Sequence, residues 1–251
     1  MRKAVAQVTA GDDVAESLRL VSAVLAALRD NDDGLPPIVR VCRACVALLP
    51  VDGAAISIIA SSGHRQSLYA SDAVAAHLET VQFSLGEGPC FEAFDTGEPV
   101  LVPDLAQDAA VAWPVFAAQM NPADVGAIFA IPLRRGTARV GAIDMYRRTP
   151  GWLLDAELST ALKIADIATS ALLTASNTGA DGEIDEMWLT TLPGDRAVVH
   201  QATGIVIAEF GIPAEQALAR LRGYAFVTDR LLDEVAGDLV AKRLHPRVID
   251  R

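Results

Sequence analysis

Residues 125–147 read VGAIFAIPLRRGTARVGAIDMYR, in which two apolar segments, 125–134 and 138–147, flank a glycine-containing turn at 135–137. Two apolar runs separated by three turn residues predict an antiparallel β-hairpin. It is the clearest sheet element of the chain. The segments on either side of it predict how the sheet is completed.

Further strands are predicted upstream, at residues 54–60, 65–70 and 99–102. Helices are predicted around them by apolar periodicity and by proline or aspartate start signals, at residues 36–49, 72–80, up to about 95, and 155–176. The sum is an α+β domain with an antiparallel sheet and flanking helices. A doubly wound nucleotide fold is disfavoured, because no strand leads into a glycine-rich phosphate loop that opens a helix.

Residues 177–182 read NTGADG and break this pattern, so they mark a domain boundary. Beyond them, three amphipathic helices are predicted at about 195–210, 215–227 and 231–244, which make an all-α three-helix bundle. The predicted organisation is a flexible N-terminus (1–12), a first domain (13–177), a linker (178–194) and a tail module (195–247).

A short heptad pattern lies at the start of the first domain. Its residues are Val14, Leu18, Val21, Leu25 and Leu28. A helix with this seam packs either on its own domain or against a second copy of the chain, and the sequence leaves both open. Together with the long helix at 155–176, the seam leads us to expect a homodimer.

The charge of the chain is unevenly distributed. The net charge is −11, yet residues 194–251 contain eight basic and eight acidic side chains, so the first part carries the whole excess. An acidic first domain repels nucleic acid, and the tail module is therefore the part suited to bind it.

Three cysteines are present, Cys42, Cys45 and Cys90. Cys42 and Cys45 form a C-x-x-C, which suggests redox or metal chemistry on one interpretation and two small buried hydrophobes on the other. Their apolar stripe favours burial on a helix. It consists of Ile38, Val41, Cys42, Cys45, Val46 and Leu49. Cys90 follows the loop-like segment 86–89 and is predicted to be the most exposed and reactive cysteine.

Several classes of protein are disfavoured. No apolar run approaches the roughly 20 residues of a membrane-spanning helix, and the N-terminus lacks the apolar stretch of a signal peptide, so we expect a cytoplasmic protein. No nucleophile–base pair, metal-ligand spacing or phosphate loop is evident. We therefore expect a protein that is not an enzyme and that holds no metal or cofactor.

The first domain resembles the GAF domains of actinobacterial GAF–ANTAR regulators over roughly residues 15–177. The motifs that carry this resemblance are Gly86-Glu87-Gly88-Pro89-Cys90, residues 97–105, Trp113-Pro114-Val115-Phe116, residues 130–133 and residues 141–146. The resemblance implies a pocket between sheet and loops for an unknown small-molecule ligand. Candidate lining residues are Phe91, Trp113, Phe129, Ile131 and Asp144, and for each the alternative is plain core packing.

The tail module resembles an ANTAR domain across its full length, on residues 200–206, 215–225 and 229–236. The resemblance implies binding to paired stem-loops in nascent transcripts, which favours an antiterminator over a terminator. A signal in the first domain would then control a dimer that presents two tail modules to two RNA loops.

The candidate RNA-binding residues are Gln201, Thr203, Gly204, Arg222 and Arg230. The two arginines match basic positions of the family and suit phosphate contact or base stacking. The alternative for them is a surface salt bridge. Thr203 departs from the family, which usually has a basic residue there, so weaker and less salt-dependent binding is expected. The competing function is a regulator whose tail module binds a protein partner instead of RNA.

Overall fold

The computed structural model describes residues 36–59, 65–175 and 197–250, and also the single helical residues Arg19, Ser22 and Ala26. The predicted flexible N-terminus (1–12), the heptad residues Val14 to Leu28 and the predicted linker (178–194) lie outside the described residues.

The first domain is built on a five-stranded antiparallel sheet with the order β2-β1-β5-β4-β3. The strands are β1 (Gly53–Ile59), β2 (Arg65–Ala70), β3 (Val100–Val102), β4 (Ala127–Arg135) and β5 (Ala138–Arg147). β4 and β5 form the predicted hairpin and pair along their whole length. On the central strand β5, Asp144 is flanked by Ala55 of β1 and Ala130 of β4. These small neighbours leave room beside the aspartate for polar side chains from a covering helix.

Helices cover both faces of the sheet. They are α1 (Pro37–Leu48), α2 (Ala73–Leu85), α3 (Pro89–Thr96), α4 (Pro114–Gln119) and α5 (Asp155–Ala175). α2 begins at Asp72, whose carboxylate accepts hydrogen bonds from the backbone N–H groups of Val74 and Ala75. It continues past the predicted end at residue 80 and stops at Gly86, whose φ of 72° is the left-handed conformation that glycine adopts without strain.

The two sides of the sheet bury separate clusters. α1 and α5 pack on one side, against the cluster that contains Phe129 and Ile131. Cys42 and Cys45 belong to it and are 0% and 1% exposed, so the prediction of burial is confirmed. Burial raises the pKa of Cys45 to about 12. Val46 belongs to the predicted apolar stripe but is 37% exposed, so its predicted burial is wrong.

The tail module (197–250) consists of α6 (Ala197–Phe210), α7 (Ala214–Val227), α8 (Leu232–Val240) and a 3-10 turn at Pro246–Asp250. The three helices confirm the predicted bundle. α8 is shorter than predicted, because the chain turns at Lys242, which has a φ of 58°. Among the described residues, no single helix is long and apolar enough to span a membrane, although α6 and α7, bent by 108°, satisfy the length and composition criteria together.

Candidate functional site

The segment Gly86-Glu87-Gly88-Pro89-Cys90 joins α2 to α3 and fixes the side chain of Gln82. The Gln82 side-chain oxygen accepts a hydrogen bond from the backbone N–H of Cys90 at 2.8 Å, and its Nε2 donates to Asp144 at 2.8 Å. A Cβ at residue 88 would lie 2.7 Å from that Gln82 oxygen, so glycine is required there for steric reasons as well as for its φ of 129°. The motif therefore places a glutamine between the sheet and α3.

A buried ionic cluster surrounds Gln82. Arg65 of β2 places Nη2 2.7 Å from Glu79 of α2 and 3.6 Å from Asp144, and its Nε donates to the Ser57 hydroxyl at 3.0 Å. The Arg65 guanidinium also lies 5.0 Å from the ring centroid of Phe91. Arg65 and Glu79 are each 1% exposed and Asp144 is 3% exposed. One cation thus holds two carboxylates inside the first domain, where each charge depends on the others.

The cluster favours a shared proton. Burial, and after it the neighbouring Glu79 carboxylate, raise the pKa of Asp144 well above its ordinary value, while Arg65 and Gln82 oppose the shift. The possible ligand atoms of Glu79, Cys90 and Asp144 lie within 4.8 Å of one another, as a metal site requires. However, the Arg65 guanidinium already balances one of the two carboxylate charges, and burial raises the pKa of the Cys90 thiol. The donor set therefore suits a protonated carboxyl beside a carboxylate better than a metal ion.

Cys90 corrects a sequence prediction. It lies in the first turn of α3, is 0% exposed, and has its sulfur 3.7 Å from the Ser57 hydroxyl oxygen. The prediction of an exposed, reactive loop cysteine is wrong, because Pro89 at the start of α3 turns the residue inward instead of extending the loop.

The tail module includes a residue of the first domain in its core. Phe83 of α2 is 2% exposed and packs in the tail cluster. Other members of this cluster are Val199, Ala202, Val206, Ala217, Leu221, Ala225, Leu232, Val235, Ala236 and Leu239. In return, Leu231 of the tail packs against the first-domain cluster on the α2 side of the sheet. The Ser84 hydroxyl accepts a hydrogen bond at 3.2 Å from the backbone N–H of Leu232, at the start of α8.

Arg222, on α7, contacts the same end of α2. Its Nε donates to the backbone carbonyl of Phe83 at 3.1 Å, and its guanidinium lies 5.3 Å from the Phe83 ring centroid. That carbonyl belongs to the last turn of the helix, where backbone oxygens lack partners within the helix and carry a partial negative charge. Arg222 thus caps the C-terminal end of α2.

Arg230 has different partners. Its Nη2 lies 2.6 Å from Asp238, and its Nε lies 3.8 Å from Glu234. Asp238 also binds Arg243 at 2.7 Å, and the hydrogen bond from Arg230 is the main cause that lowers the pKa of Asp238. The side chain of Arg230 is 32% exposed. It is therefore held in an ion pair but open to solvent on one side.

Comparison with known proteins places both halves in families. A sequence profile described as the GAF domain matches residues 38–173, more than half of the chain, and one described as the ANTAR domain matches residues 190–240. The chain belongs to the GAF domain family, and an ANTAR domain follows the GAF domain. These are sensor and regulatory domains, so the chain is a signal-responsive regulator.

The solved structures that match this chain have low identity to it. A GAF domain of a phosphoenolpyruvate-protein phosphotransferase from Coxiella burnetii is 16% identical, with a TM-score of 0.48, over 65% of this chain and 96% of that one. A domain of a putative two-component sensor histidine kinase from Sinorhizobium meliloti 1021 is 17% identical, with a TM-score of 0.43, over 55% and 88%. No curated protein matches the chain.

The GAF domain does not bring the five predicted ligand residues together. Asp144 and Phe91 meet at Arg65. Trp113 packs with the second cluster on the α2 side, whereas Phe129 and Ile131 are fully buried on the opposite side of the sheet. Phe129 and Ile131 therefore pack in the core beneath α1 and α5, away from Asp144. Sequence reasoning missed Arg65, Glu79 and Gln82, although a charged or amide residue within an apolar segment was a usable signal.

A cleft of 690 Å³ lies between the GAF domain and the ANTAR domain, outside the predicted pocket. It is lined by residues 67–70 of β2, by Ala76, Glu79 and Thr80 of α2, and by Val198, Asp233 and Gly237 of the tail. None of the five predicted ligand residues belongs to this lining. Glu79 thus takes part in both the buried cluster and the wall of the cleft.

The predicted RNA-binding residues of the ANTAR domain lie in different environments. Gln201 and Gly204 lie on the exposed face of α6. Thr203 is 8% exposed and its hydroxyl donates to the Val199 carbonyl at 2.8 Å, so it faces inward, about 200° around the helix from Gln201. A Cβ at residue 204 would meet nothing within 4 Å in the part of the chain that the structure describes, so packing against the described helices does not account for this glycine.

Proposed function

We propose that this chain is a signal-responsive, RNA-binding regulator of transcription antitermination. A signal, such as a small molecule that binds the GAF domain, changes the availability of the ANTAR domain. The ANTAR domain then binds paired stem-loops in a nascent transcript and stabilises the antiterminator. We propose further that the chain acts as a homodimer, because two linked ANTAR domains bind two loops at a raised effective concentration.

The observation that carries this proposal is the direct contact between the two domains at Arg222. An arginine at a family-matched RNA-binding position is bonded to the end of the GAF helix α2. Because the GAF domain contacts Arg222 directly, a change in the GAF domain can alter the availability of Arg222 for RNA. The excess of negative charge in the first part of the chain supports the assignment of RNA contact to the tail, since an acidic surface repels phosphates.

Within the ANTAR domain, we assign RNA contact to Arg222, Arg230 and the exposed face of α6 that carries Gln201 and Gly204. Arg222 has a planar guanidinium suited to stacking on a splayed base, and Arg230 retains an open side suited to a phosphate. We leave Thr203 out of this assignment, because it is 8% exposed and its hydroxyl donates to the Val199 carbonyl.

Binding of the full chain to a twin stem-loop RNA, compared with an unrelated hairpin across a salt series, tests the proposal. Arg230→Gln is the informative variant and Arg243→Gln the matched control, since both arginines pair with Asp238 and both changes remove one charge. We expect Arg230→Gln to weaken binding about tenfold and to lower the salt dependence by about one ion. Arg243→Gln should have a much smaller effect. Equal binding of both RNAs under every salt condition contradicts the proposal.

The second candidate is a regulator whose ANTAR domain binds protein alone. It is favoured by one observation: the ANTAR surface around Arg222 is covered by the apolar ring of Phe83. On this alternative the ANTAR domain is permanently a docking module for α2, and no variant of the chain prefers the twin stem-loop RNA to the control hairpin.

A further inference from the structure

The end of α2 and the ANTAR domain form a shared structure and not a loose contact. Three consecutive features build it: Phe83 fills the ANTAR core, the Phe83 carbonyl accepts from Arg222, and the Ser84 hydroxyl accepts from the Leu232 N–H. Gly86, directly beyond the helix, keeps space for the arginine, since a Cβ there would lie 2.9 Å from Arg222 Nη1. These contacts hold the Arg222 side chain in one position against the end of α2.

The groups that α2 offers to Arg222 match those of an RNA loop. The Phe83 ring supplies an aromatic face at stacking distance from the guanidinium, as an unpaired base does. The Phe83 carbonyl supplies an oxygen acceptor at the negative end of a helix dipole, as a phosphate does with a full charge. One guanidinium with this geometry serves only one such partner at a time.

We propose that the C-terminal end of α2 and an RNA loop are competing partners of the same ANTAR surface. The docked arrangement of the chain is therefore its RNA-free, inhibited state. This inference rests on the proposed RNA-binding function and adds its regulation. Because α2 is tethered to the ANTAR domain, it competes at a high effective concentration. The apparent RNA affinity is then the affinity of the undocked ANTAR domain multiplied by the fraction of molecules that are undocked.

The same helix end also links docking to the buried ionic cluster. Gln82 bonds Asp144 and the Cys90 backbone inside the GAF domain, while the next residue, Phe83, enters the ANTAR core. Glu79, one turn earlier, bonds Arg65. The buried cluster and the three docking contacts are therefore joined through adjacent residues of one helix, which gives a rearrangement of the cluster a direct route to the ANTAR domain.

The test is to undock the ANTAR domain without changing its RNA-binding residues. Ser84→Arg places a long cation at a site that is 6% exposed when docked and open to solvent when undocked. His77→Arg is the matched control, because it adds the same side chain at an exposed position of the same helix. We expect Ser84→Arg to bind the twin stem-loop RNA about tenfold or more tightly than the wild type, and His77→Arg to bind as the wild type does.

A second variant guards against misfolding of the first. Phe83→Ala removes the ring that Arg222 stacks on, and it should also bind RNA more tightly than the wild type. Circular dichroism establishes that each variant remains folded. Equal RNA affinity of the wild type and both undocked variants overturns the competition while leaving the proposed function intact. Absence of specific RNA binding in all of these proteins overturns the proposed function, and the competition with it.

Discussion

Arg65 in the GAF domain and Arg222 in the ANTAR domain have similar surroundings with one important difference. Each guanidinium lies over a phenylalanine ring, at 5.0 Å from the Phe91 centroid and 5.3 Å from the Phe83 centroid. Arg65 pairs with two buried carboxylates, whereas the hydrogen bond from Arg222 Nε ends on a backbone carbonyl. A charge buried between charges is fixed, since no solvent or ligand replaces its partners cheaply. The Phe83 carbonyl is a neutral acceptor, and under the competition proposed above a phosphate takes its place.

The largest loss of stability is expected from removing Arg65, the cation of the buried cluster. Arg65→Met leaves Glu79 and Asp144 buried without a cation and should lower the free energy of unfolding by about 3–5 kcal/mol. Urea denaturation measures this. Arg134→Met is the control, because its ion pair with Glu98 is exposed and should contribute less than about 1 kcal/mol.

The triple variant Arg65→Met, Glu79→Gln, Asp144→Asn removes the stranded charges and should recover part of that loss. If Arg65→Met alone is as stable as the wild type, the carboxylates are not dependent on Arg65, and the contrast with Arg222 fails.

The next effect concerns the proton of the cluster. A carboxyl whose pKa is raised by folding binds its proton more tightly in the folded state, so its contribution to stability is full below the unfolded pKa of about 3.9 and is lost as the pH rises through the folded pKa. For Asp144 the folded pKa lies well above its ordinary value, so this loss continues above the pH range in which an exposed Asp titrates. Asp144→Asn should therefore gain stability relative to the wild type as the pH increases above about 5, by about 1.4 kcal/mol for each pH unit over which the folded carboxyl keeps its proton.

Thermal or urea unfolding of both proteins at several pH values gives this difference, in which the other titrating groups largely cancel. A difference that is constant across the range would mean that Asp144 is ionised throughout, balanced by Arg65.

The exchangeable arginine should have a smaller effect on stability. Arg222→Gln weakens the hydrogen bond to the Phe83 carbonyl and removes the stacking contact with the Phe83 ring, so we expect a decrease of about 1–3 kcal/mol in the free energy of unfolding. Arg222→Lys keeps the charge and loses the planar stack. If Arg222→Gln costs as much as Arg65→Met, Arg222 is a structural residue and not an exchangeable one.

Arg230→Gln is expected to change stability least, within about 1 kcal/mol, because its ion pairs with Asp238 and Glu234 are partly open to solvent. Arg243→Gln removes an ion pair with Asp238 alone. Comparison of the two variants by thermal unfolding therefore separates the contribution of Asp238 from that of Glu234. A loss several times larger would show that Arg230 braces the start of α8, and its role in RNA contact would need to be reconsidered.

The elements that could be predicted from the sequence are those that depend on local patterns. The β4–β5 hairpin, burial of the C-x-x-C and the three tail helices follow from spacing of apolar residues over a few turns. The buried cluster was not predicted, because Arg65, Glu79 and Asp144 are distant along the chain and no local pattern shows that they meet. Cys90 was misplaced since the Gly-Glu-Gly-Pro segment suggests a loop, while the bond from its N–H to Gln82 becomes visible only after folding.

The docking of Arg222 was beyond sequence reasoning for the same reason. Its partner carbonyl is 139 positions away, in another domain. The sequence indicated a basic residue suited to RNA, with a surface salt bridge as the alternative, and did not indicate the contact with the end of α2. A hydrogen bond to a backbone carbonyl leaves no trace in the sequence of the partner, since every residue has that oxygen.

The position of Phe83 has a consequence for how the two domains can be exchanged or separated. An ANTAR domain transferred to a different sensor has a cavity at the position of the Phe83 ring, unless the new sensor supplies an aromatic residue at the same place. The GAF domain left behind exposes a phenylalanine to water. Gene fusions and truncations that follow the sequence boundary between the domains therefore remove Phe83 from the hydrophobic core of the ANTAR domain, and we expect the two domains to be exchanged successfully only together.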